Sequence, residues 1–206
     1  NETTDFNIIQ LNINGIAGKL DKLLHLLQKH NIHVAALQET KLTNKSKMKP
    51  TPNYTFIRKD RNKDKGGGLA FLVHHTIPFQ VIPTPNNLKN DPHIIELSIS
   101  ITGSRNNIKI RNIYIPPTSS CSPDYSAPID KITTDLERTS FLLGDMNAHH
   151  QSWFSAINED ARGKHIAENI AESRLGILNE DEPTRVTTTC KSSPDLSLTT
   201  LDLLPI

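Results

Sequence analysis

The sequence predicts an α+β fold in which two mostly antiparallel β-sheets pack face to face between flanking helices, four layers in all. Short apolar runs that are typical of strands alternate with segments of helical periodicity. The runs are separated by turn-forming residues such as Thr51-Pro52-Asn53. With 206 residues and no internal repeat, the chain is long enough for one sizeable core. We therefore expect a single domain over residues 1–206.

The first part of the chain supplies a strand, a helix and then a series of strands. The apolar run Phe6–Leu11 predicts a buried strand, and Gly18–His30 carries leucines at the spacing of an amphipathic helix that Asn31 terminates. Further strands are predicted at Val34–Leu37, Tyr54–Arg58, Leu69–His74, Phe79–Ile82, Ile94–Ile101 and Ile108–Ile115. The triple glycine at positions 66–68 predicts a flexible turn into one of these strands.

The last third of the chain returns to alternating helices and strands. A helix is predicted from about Ile129 to Arg138, before an apolar strand that ends at Gly144. A second helix is predicted from about Gly163 to Ser173. Two final strands are predicted near Arg185–Thr189 and Leu196–Thr199.

Charge is unevenly distributed although the net charge of the chain is only +1. Between positions 41 and 65, nine basic residues stand against two acidic ones and give a local charge of +7. The basic residues are Lys41, Lys45, Lys47, Lys49, Arg58, Lys59, Arg61, Lys63 and Lys65. Two interpretations remain open, a solvated loop and a surface that contacts phosphates without reading sequence.

The cysteines and the hydropathy indicate an intracellular protein with no membrane partner. Cys121 and Cys190 occur in unrelated polar contexts without a CxxC spacing, so we expect reduced thiols. No apolar stretch approaches the ~20 residues needed to span a bilayer. The N-terminus also lacks the pattern of a secretory signal.

Polar side chains follow four of the predicted strands, at the point where each strand ends. They are Asn12, Asn14, Glu39, Tyr114, Asp145 and Asn147. Because strand side chains alternate with a period of two, Asn12 and Asn14 project to one side, as do Asp145 and Asn147. Taken singly, each residue fits ordinary turn or capping chemistry. Together they predict one cleft suited to a hard divalent cation and a phosphate.

Six motifs in this order and spacing resemble one known family. The motifs are LNING, LQET, GGGLAFLV, RNIYIPP, LLGDMNAHH and SPDLSL. They resemble the endonuclease domain of non-LTR (LINE-type) retrotransposons, which belongs to the endonuclease/exonuclease/phosphatase superfamily with the AP endonucleases and deoxyribonuclease I. The resemblance covers Phe6 to about Leu198 and implies a four-layer α/β-sandwich of two packed, mixed β-sheets. The later segment with Trp153 and Ala161–Gly163 resembles the insect-type branch.

The resemblance implies a role for each matching residue. Glu39 would be the principal ligand of Mg²⁺, for which Mn²⁺ could substitute, with Asn12 and Asn14 in the metal and phosphate shell. Asp145 would orient or deprotonate the attacking water, and Asn147 would hold phosphate oxygens. Two further catalytic roles follow, contact of Tyr114 with the scissile phosphate and orientation of a catalytic histidine by Asp195.

The resemblance also implies what the domain contacts. The substrate would be double-stranded DNA, nicked in the nucleus by a monomeric domain whose polyprotein also carries a reverse transcriptase. The resulting 3′-hydroxyl would prime reverse transcription. The expected DNA contacts are Lys41, Lys45, Lys47, Arg58, Lys59, Arg61, His149, His150 and Thr184. For the two histidines a structural role in their loop is an equally weighted alternative, and a zinc site is disfavoured because no HExxH or cysteine pair accompanies them.

Two departures from the family pattern bear on activity. Many relatives carry asparagine where this chain has Pro117, and proline cannot supply that amide's hydrogen bond. Relatives also continue to a Ser-Asp-His segment and an apolar strand, whereas the tail LDLLPI carries Leu203 at the histidine position. We therefore expect the catalytic histidine and the C-terminal strand or strands to be missing, either because the sequence stops short of them or because they were lost.

Three functions follow, in decreasing order of support. The first is the Mg²⁺-dependent DNA-nicking endonuclease. The second is a truncated or decayed copy that at most binds nucleic acid through the basic segment at positions 41–65. The third is a phosphatase of the same superfamily.

Overall fold

The computed structural model describes residues 6–61, 67–103, 106–134, 136 and 138–204. Several sequence predictions fall outside these ranges: the basic-segment residues at 63–65, the turn residues Gly66, Ser104 and Arg105, and positions 135 and 137 of a predicted helix. Within the described ranges, every helix is too short or too polar to traverse a lipid bilayer. Cys121 and Cys190 are both described and are free thiols.

The chain alternates strands with a few helices. In chain order the strands are β1 (Ile8–Asn12), β2 (Val34–Gln38), β3 (Tyr54–Lys59), β4 (Leu69–His74), β5 (Phe79–Ile82), β6 (Ile95–Ile101), β7 (Ile108–Tyr114), β8 (Ser140–Asp145), β9 (Leu175–Ile177), β10 (Arg185–Val186), β11 (Lys191–Ser192) and β12 (Asp195–Thr200). The helices are α1 (Leu20–Lys29), α2 (Asn86–Lys89), α3 (Ile129–Thr134) and α4 (Ala161–Glu172), with 3₁₀ turns at Thr118–Ser120, Gln151–Trp153 and Leu201–Leu203.

Two mixed sheets form the centre of the molecule. The smaller sheet has the order β1-β2-β4-β3, and the larger has the order β5-β6-β7-β8-β12-β9. Among the described strands, the pairs β1–β2 and β7–β8 are parallel and the remaining pairs are antiparallel. The predicted α+β class with two packed, mostly antiparallel sheets is confirmed.

Apolar side chains hold the layers together. Phe71 of the small sheet and Ile99, Ile110 and Leu143 of the large sheet lie in the cluster between the two sheets. Helix α1 buries its leucine stripe on the outer face of the small sheet. Helices α3 and α4 contribute to the cluster on the large sheet. The order of layers is therefore helix, sheet, sheet, helix.

Local backbone chemistry explains where α1 ends. Asn31 follows the helix with a φ of 49°, a left-handed conformation that asparagine tolerates better than most residues.

Trp153 is only 1% exposed and belongs to the outer cluster of the large sheet. Trp153 is therefore a core anchor of this layer.

One buried amide links the two sheets. Asn112 of β7 is fully buried; its Nδ2 donates to the carbonyl oxygens of Leu37 (3.0 Å) and Ala70 (3.1 Å) in the facing sheet. Its Oδ1 accepts from Gln38 Nε2 at 2.7 Å. Since buried polar groups are costly unless paired, this network fixes one relative position of the sheets.

The boundaries of several elements differ from the sequence predictions. The strand predicted at Arg185–Thr189 is instead a two-residue strand, β10, paired with β11 in a small hairpin. The helix predicted to end near Arg138 is described only to Thr134. Helix α2 and strand β9 were not predicted, because segments of four and three residues are too short to show a period.

Candidate active site

A cleft of about 580 Å³ lies where the carboxyl ends of β1, β2 and β8 meet the start of β12. It is lined by Asn12, Asn14, Glu39, Pro117, Asp145, Asn147, Thr184, Arg185, Val186, Thr187, Pro194 and Asp195. Six predicted catalytic or metal-site residues, distant in sequence, therefore share one cavity, together with the predicted DNA contact Thr184.

Asp145 ends β8 and is held by hydrogen bonds from two directions. Asn12 of the facing sheet donates from Nδ2 to Asp145 Oδ2 at 2.7 Å. The backbone N–H of Asn147 donates to Asp145 Oδ1 at 3.1 Å. The Asp145 residue is only 3% exposed. The bond from Asn12 also ties the end of β1 to the end of β8, so it fixes the carboxylate and the two strand ends together.

Asp195 begins β12 directly opposite Asp145 in the antiparallel register. Its Oδ2 accepts a hydrogen bond from Thr184 Oγ1 at 2.8 Å. Its Oδ1 is buried and has no hydrogen-bond partner among the residues that the structure describes. A buried acceptor without a donor is unfavourable, so this oxygen is available to a group that enters the cleft.

Burial and mutual repulsion perturb both aspartates. The pKa of Asp145 is raised to about 7, first by burial and then by the charges of Asp195 and Glu39, while the hydrogen bonds from Asn147 and Asn12 oppose the rise. Burial likewise raises the pKa of Asp195 to about 6, with the Thr184 hydrogen bond and Arg185 opposing the rise. An Asp145 with a pKa near neutrality can exchange a proton at physiological pH.

Glu39 and Asn14 follow the carboxyl ends of β2 and β1, and both have left-handed backbone conformations. Their φ angles are 51° and 45°, which is unusual for a glutamate. The Lys41 ammonium lies 3.6 Å from Glu39 Oε2 and also hydrogen-bonds Asn14 Oδ1. A positive charge thus already lies between the side-chain oxygens of Glu39 and Asn14.

Tyr114 ends β7 and pairs in register with Asp145 of the adjacent parallel strand. It is only 5% exposed and belongs to the inter-sheet cluster. The pKa of Tyr114 is raised to about 12, first by burial and then by the charges of the Glu39 and Asp145 carboxylates. Its phenol therefore stays protonated at neutral pH and can serve as a hydrogen-bond donor.

The donor set fits a hard divalent cation that shares its coordination with substrate. The cleft offers carboxylate and amide oxygens, the repelling pair Asp145 and Asp195, and the unpartnered Asp195 Oδ1. No group of three His, Cys, Asp or Glu residues arranged to hold a metal occurs in the described part of the chain. Mg²⁺ typically uses only one or two carboxylates and completes its octahedron with water and phosphate oxygens.

The predicted basic residues divide into two groups. Lys41, Lys45 and Lys47 are exposed. Arg58, by contrast, donates to the carbonyl oxygen of Ser46 at 3.1 Å, and Lys59 donates to the carbonyl oxygen of Glu96 at 2.9 Å. Burial also lowers the pKa of Lys59, although the charge of Glu96 opposes the change.

The charge of Arg61 reaches the Tyr114 phenol and lowers its pKa slightly against the rise. Arg61 is half-buried.

The two loop histidines make contacts inside the protein. His149 Nδ1 lies 2.9 Å from Ser155 Oγ. His150 Nδ1 accepts from the backbone N–H of Ser152 at 3.1 Å, and its Nε2 lies 3.5 Å from Glu159. These contacts support the structural alternative for both residues, and their contact with DNA stays a prediction.

Several residues that surround the site were not predicted from the sequence. Asp160 and Arg162 contact the loops behind the cleft, and Arg185 and Val186 form one wall. The Asp-x-x-Gly pattern at Asp160–Gly163 is a helix-capping signal that could have placed the start of α4 correctly. The backbone contacts of Arg162 leave no sequence signal.

Comparisons with known proteins agree on the family and the fold. The sequence profile of the Endonuclease/Exonuclease/phosphatase family matches residues 9–204. A probable RNA-directed DNA polymerase from transposon X-element of Drosophila melanogaster is 27% identical over 203 residues, which cover 93% of this chain and 21% of that protein. The chain thus spans about a fifth of the length of this curated relative.

Two solved structures illustrate the shared architecture. The endonuclease domain of TRAS1, a telomere-specific non-LTR retrotransposon, superposes with a TM-score of 0.72 at 21% identity, over 96% of this chain and 86% of that one. An AP endonuclease from Archaeoglobus fulgidus superposes with a TM-score of 0.59 at 16% identity, over 97% and 88% of the two chains. At these identities the similarity demonstrates a common fold.

Proposed function

Because the chain belongs to the Endonuclease/Exonuclease/phosphatase family, we propose that it is a Mg²⁺-dependent endonuclease that nicks double-stranded DNA. The nick leaves a 3′-hydroxyl from which the reverse transcriptase of the same polyprotein primes synthesis, in the nucleus. The observation that carries this proposal is the cleft, where Glu39, Asp145 and Asp195 lie together with amide groups. The similarity to a transposon polymerase and to a retrotransposon endonuclease supports this choice within the family.

Glu39 and Asn14 would hold the metal ion, because their oxygens already accept the Lys41 ammonium. A bound Mg²⁺ would neutralise phosphate charge and orient the phosphoryl group. Both polar ends of the Asn12 side chain are engaged, with Asp145 and with the Asn14 N–H. This supports a role for Asn12 in positioning the aspartate.

Asp145 is the group best suited to accept a proton from water. Its pKa of about 7 leaves part of the population ionised at neutral pH and makes the carboxylate a stronger base than an ordinary aspartate. The water oxygen attacks phosphorus, the water proton passes to Asp145, and the bond from phosphorus to the 3′ oxygen breaks. The products are a 5′-phosphate and a 3′-hydroxyl: the departing 3′ oxygen takes up a proton from solvent, and Asp145 releases to solvent the proton that it accepted.

Two neutral donors complete the phosphate site. The Tyr114 phenol, with its pKa raised to about 12, can donate its hydrogen to a phosphate oxygen. One hydrogen of the Asn147 amide is engaged with the carbonyl oxygen of Ile115 at 3.0 Å. The other hydrogen is available to the phosphoryl group. Fixed donors of this kind stabilise the charge that develops on phosphate oxygens in the transition state.

A second candidate, a catalytically impaired copy that binds nucleic acid, is favoured by one observation. Among the residues that the structure describes, none donates to Asp195 Oδ1 and no histidine lines the cleft. A general acid–base group typically contributes ~10² to 10⁴ in rate. A loss of that size is the expected difference between this chain and one with an imidazole bound to Asp195.

Relaxation of supercoiled plasmid in Mg²⁺ tests the proposed function. Relaxation that disappears in Glu39→Ala and leaves ends that a polymerase can extend without further processing supports the endonuclease. Retained salt-sensitive DNA binding without relaxation supports the impaired copy. Faster hydrolysis of a phosphomonoester than of plasmid would assign the chain to the phosphatases of the family instead.

A further inference from the structure

We propose that Arg162, near the start of α4, is a positioning residue that sets the separation of the two segments following Tyr114 and Asp145. This inference rests on the proposed function, since Tyr114 is there the hydrogen-bond donor to the phosphate and Asp145 is the proton acceptor. Arg162 does not line the cleft in the described structure. It acts on the site through the backbone behind it.

The Arg162 guanidinium bridges the two segments directly. Its Nη1 donates to the carbonyl oxygens of Pro116 (2.9 Å), Met146 (2.8 Å) and Asn147 (3.2 Å). Its Nη2 lies 3.4 Å from Thr118 Oγ1. One side chain therefore binds the segment that leaves β7 and the segment that leaves β8.

These two segments carry the groups that the reaction needs. Pro116 lies two residues after Tyr114, and Met146 lies immediately after Asp145. The segments are also joined by the Ile115 N–H, which donates to the Asp145 carbonyl at 3.0 Å, and by the Asn147 amide on the Ile115 carbonyl. The Arg162 bonds lie one residue further along each segment and close the bridge beyond the last β-sheet pairing.

The position of Arg162 is itself fixed by the residues on either side. Asp160 caps α4 by accepting from the Gly163 N–H at 2.6 Å, and its second oxygen accepts from the His149 N–H at 3.1 Å. The Asp160 N–H returns a bond to the His149 carbonyl at 3.1 Å. A Cβ at Gly163 would collide with that same carbonyl group. The close approach of α4 to the loop after Asp145 therefore requires glycine.

Arginine is suited to this bridge in a way that lysine is not. The guanidinium offers five hydrogens in a planar fork, whereas an ammonium is a compact point charge. A lysine at position 162 keeps the charge, but its nitrogen ends one bond short of the Nη1 position that contacts both segments. It also has no second nitrogen for Thr118 Oγ1. Because a misplacement of about 1 Å can lower a rate by about 10²-fold, we expect the loss to appear in the chemical step.

The test compares Arg162→Lys and Arg162→Gln with Arg174→Lys, a matched change at an exposed arginine outside the cleft. Three quantities are measured on the full chain: kcat for plasmid nicking in Mg²⁺, Kd for a DNA duplex in EDTA, and hydrogen exchange of peptides covering 114–120 and 145–150. We expect kcat to fall about 10- to 100-fold in both Arg162 variants. We expect Kd to stay within about twofold and exchange to rise in both peptides but not elsewhere.

Other results would overturn the inference. If Arg162→Gln raises the Kd for DNA without changing kcat, and Arg162→Lys keeps the wild-type Kd, then Arg162 is a phosphate contact. Faster exchange throughout the domain would make it a contributor to general stability. Wild-type exchange in both peptides would show that it holds neither segment. If the wild-type chain does not nick DNA at all, the proposed function fails, yet the exchange comparison still decides whether Arg162 bridges the segments.

Discussion

At the scale of single residues, the site is defined by carboxylates held closer together than their charges favour. Asp145 and Asp195 are register partners on adjacent strands, and Glu39 adds a third negative charge to their field. Like charges in a poorly solvated cleft raise one another's pKa and destabilise the folded state when all are ionised. Such strain at a site is useful when a bound cation relieves it.

The pKa of Asp145, raised by burial and then by this repulsion, predicts how stability depends on pH without metal. Since the pKa of Asp145 rises from 3.8 to about 7 on folding, the folded state binds the proton more tightly, and the free energy of unfolding falls as pH rises between about 4 and about 7. Calorimetry in EDTA should give a higher Tm for the wild type at pH 5 than at pH 8. In Asp145→Asn this difference should shrink. An undiminished difference in the variant would contradict the raised pKa.

The unpartnered oxygen of Asp195 predicts chemical rescue. If Asp195 Oδ1 is the acceptor for an imidazole N–H, free imidazole at millimolar concentration should raise the nicking rate of the wild type by about tenfold, part of the ~10² to 10⁴ that an acid–base group contributes. Asp195→Asn should not respond, and Asp202→Asn, an exposed aspartate outside the cleft, should respond like the wild type. An equal response in Asp195→Asn would exclude this role.

The residues that sequence reasoning could and could not identify differ in how they act. Asn12, Asn14, Glu39, Asp145 and Asn147 sit at strand ends, where the break from apolar to polar is visible in the sequence, and all five line the cleft. Arg162 acts through backbone carbonyls of two remote segments. Those contacts depend on tertiary structure and produce no local pattern.

At the scale of elements, the segment between β2 and β3 is the exposed basic part of the molecule. Lys45 and Lys47 on this segment are exposed. The side chains of Arg58 and Lys59 on β3 bond to neighbouring loops and strands. For the proposed DNA complex, the contrast predicts that phosphate contacts come from the loop and that the β3 cations have a structural role.

A double variant tests this division of roles. Lys45→Ala with Lys47→Ala should weaken DNA binding and reduce the slope of log K against log salt by about 2, because each phosphate contact contributes about 0.9. Thermal stability should be unchanged. The pair Lys22→Ala with Lys29→Ala, exposed on α1, is the matched control and should leave the slope unchanged. Equal effects of the two pairs would show that net charge, and not this loop, determines affinity.

Element length decided which elements could be predicted. The strands β4, β6 and β7 each have six or seven residues and appear clearly as apolar or alternating runs. The hairpin of β10 and β11 has two residues per strand, and its exposed residues carry no apolar pattern. Its place beside the cleft follows from the pairing of β12 with β8, which the sequence alone does not specify.

At the scale of the whole molecule, the cleft exists because two sheets pack on a common core and bring their strand ends together. The Endonuclease/Exonuclease/phosphatase family and the fold expected from the ordered motifs are both confirmed, and the retrotransposon branch within that family stays a proposal. The motifs LQET and GDMN come from different sheets, so neither builds the site alone. The Asn112 network lies between the sheets, with partners in β2 and β4, and fixes their relative position.

Removing the Asn112 amide should therefore destabilise the whole domain. Asn112→Ala removes the three buried hydrogen bonds that this amide makes with Leu37, Ala70 and Gln38, and a buried group left unsatisfied costs about 1–3 kcal/mol. Urea unfolding should show a loss of at least about 2 kcal/mol, whereas Asn158→Ala, at an exposed asparagine, should change stability by less than about 0.5 kcal/mol. A loss below 0.5 kcal/mol in Asn112→Ala would contradict a role in joining the sheets.

The most direct test of the account is whether the cleft accepts a divalent cation through Glu39. Mn²⁺ binding to the full chain, followed by electron paramagnetic resonance with and without a DNA duplex, measures this independently of catalysis. We predict one bound ion per chain, tighter with DNA, and at least about tenfold weaker binding in Glu39→Gln. Exposed Glu172→Gln should match the wild type. Equal binding in wild type and Glu39→Gln, or no binding even with DNA, would contradict a cation-accepting site at these strand ends.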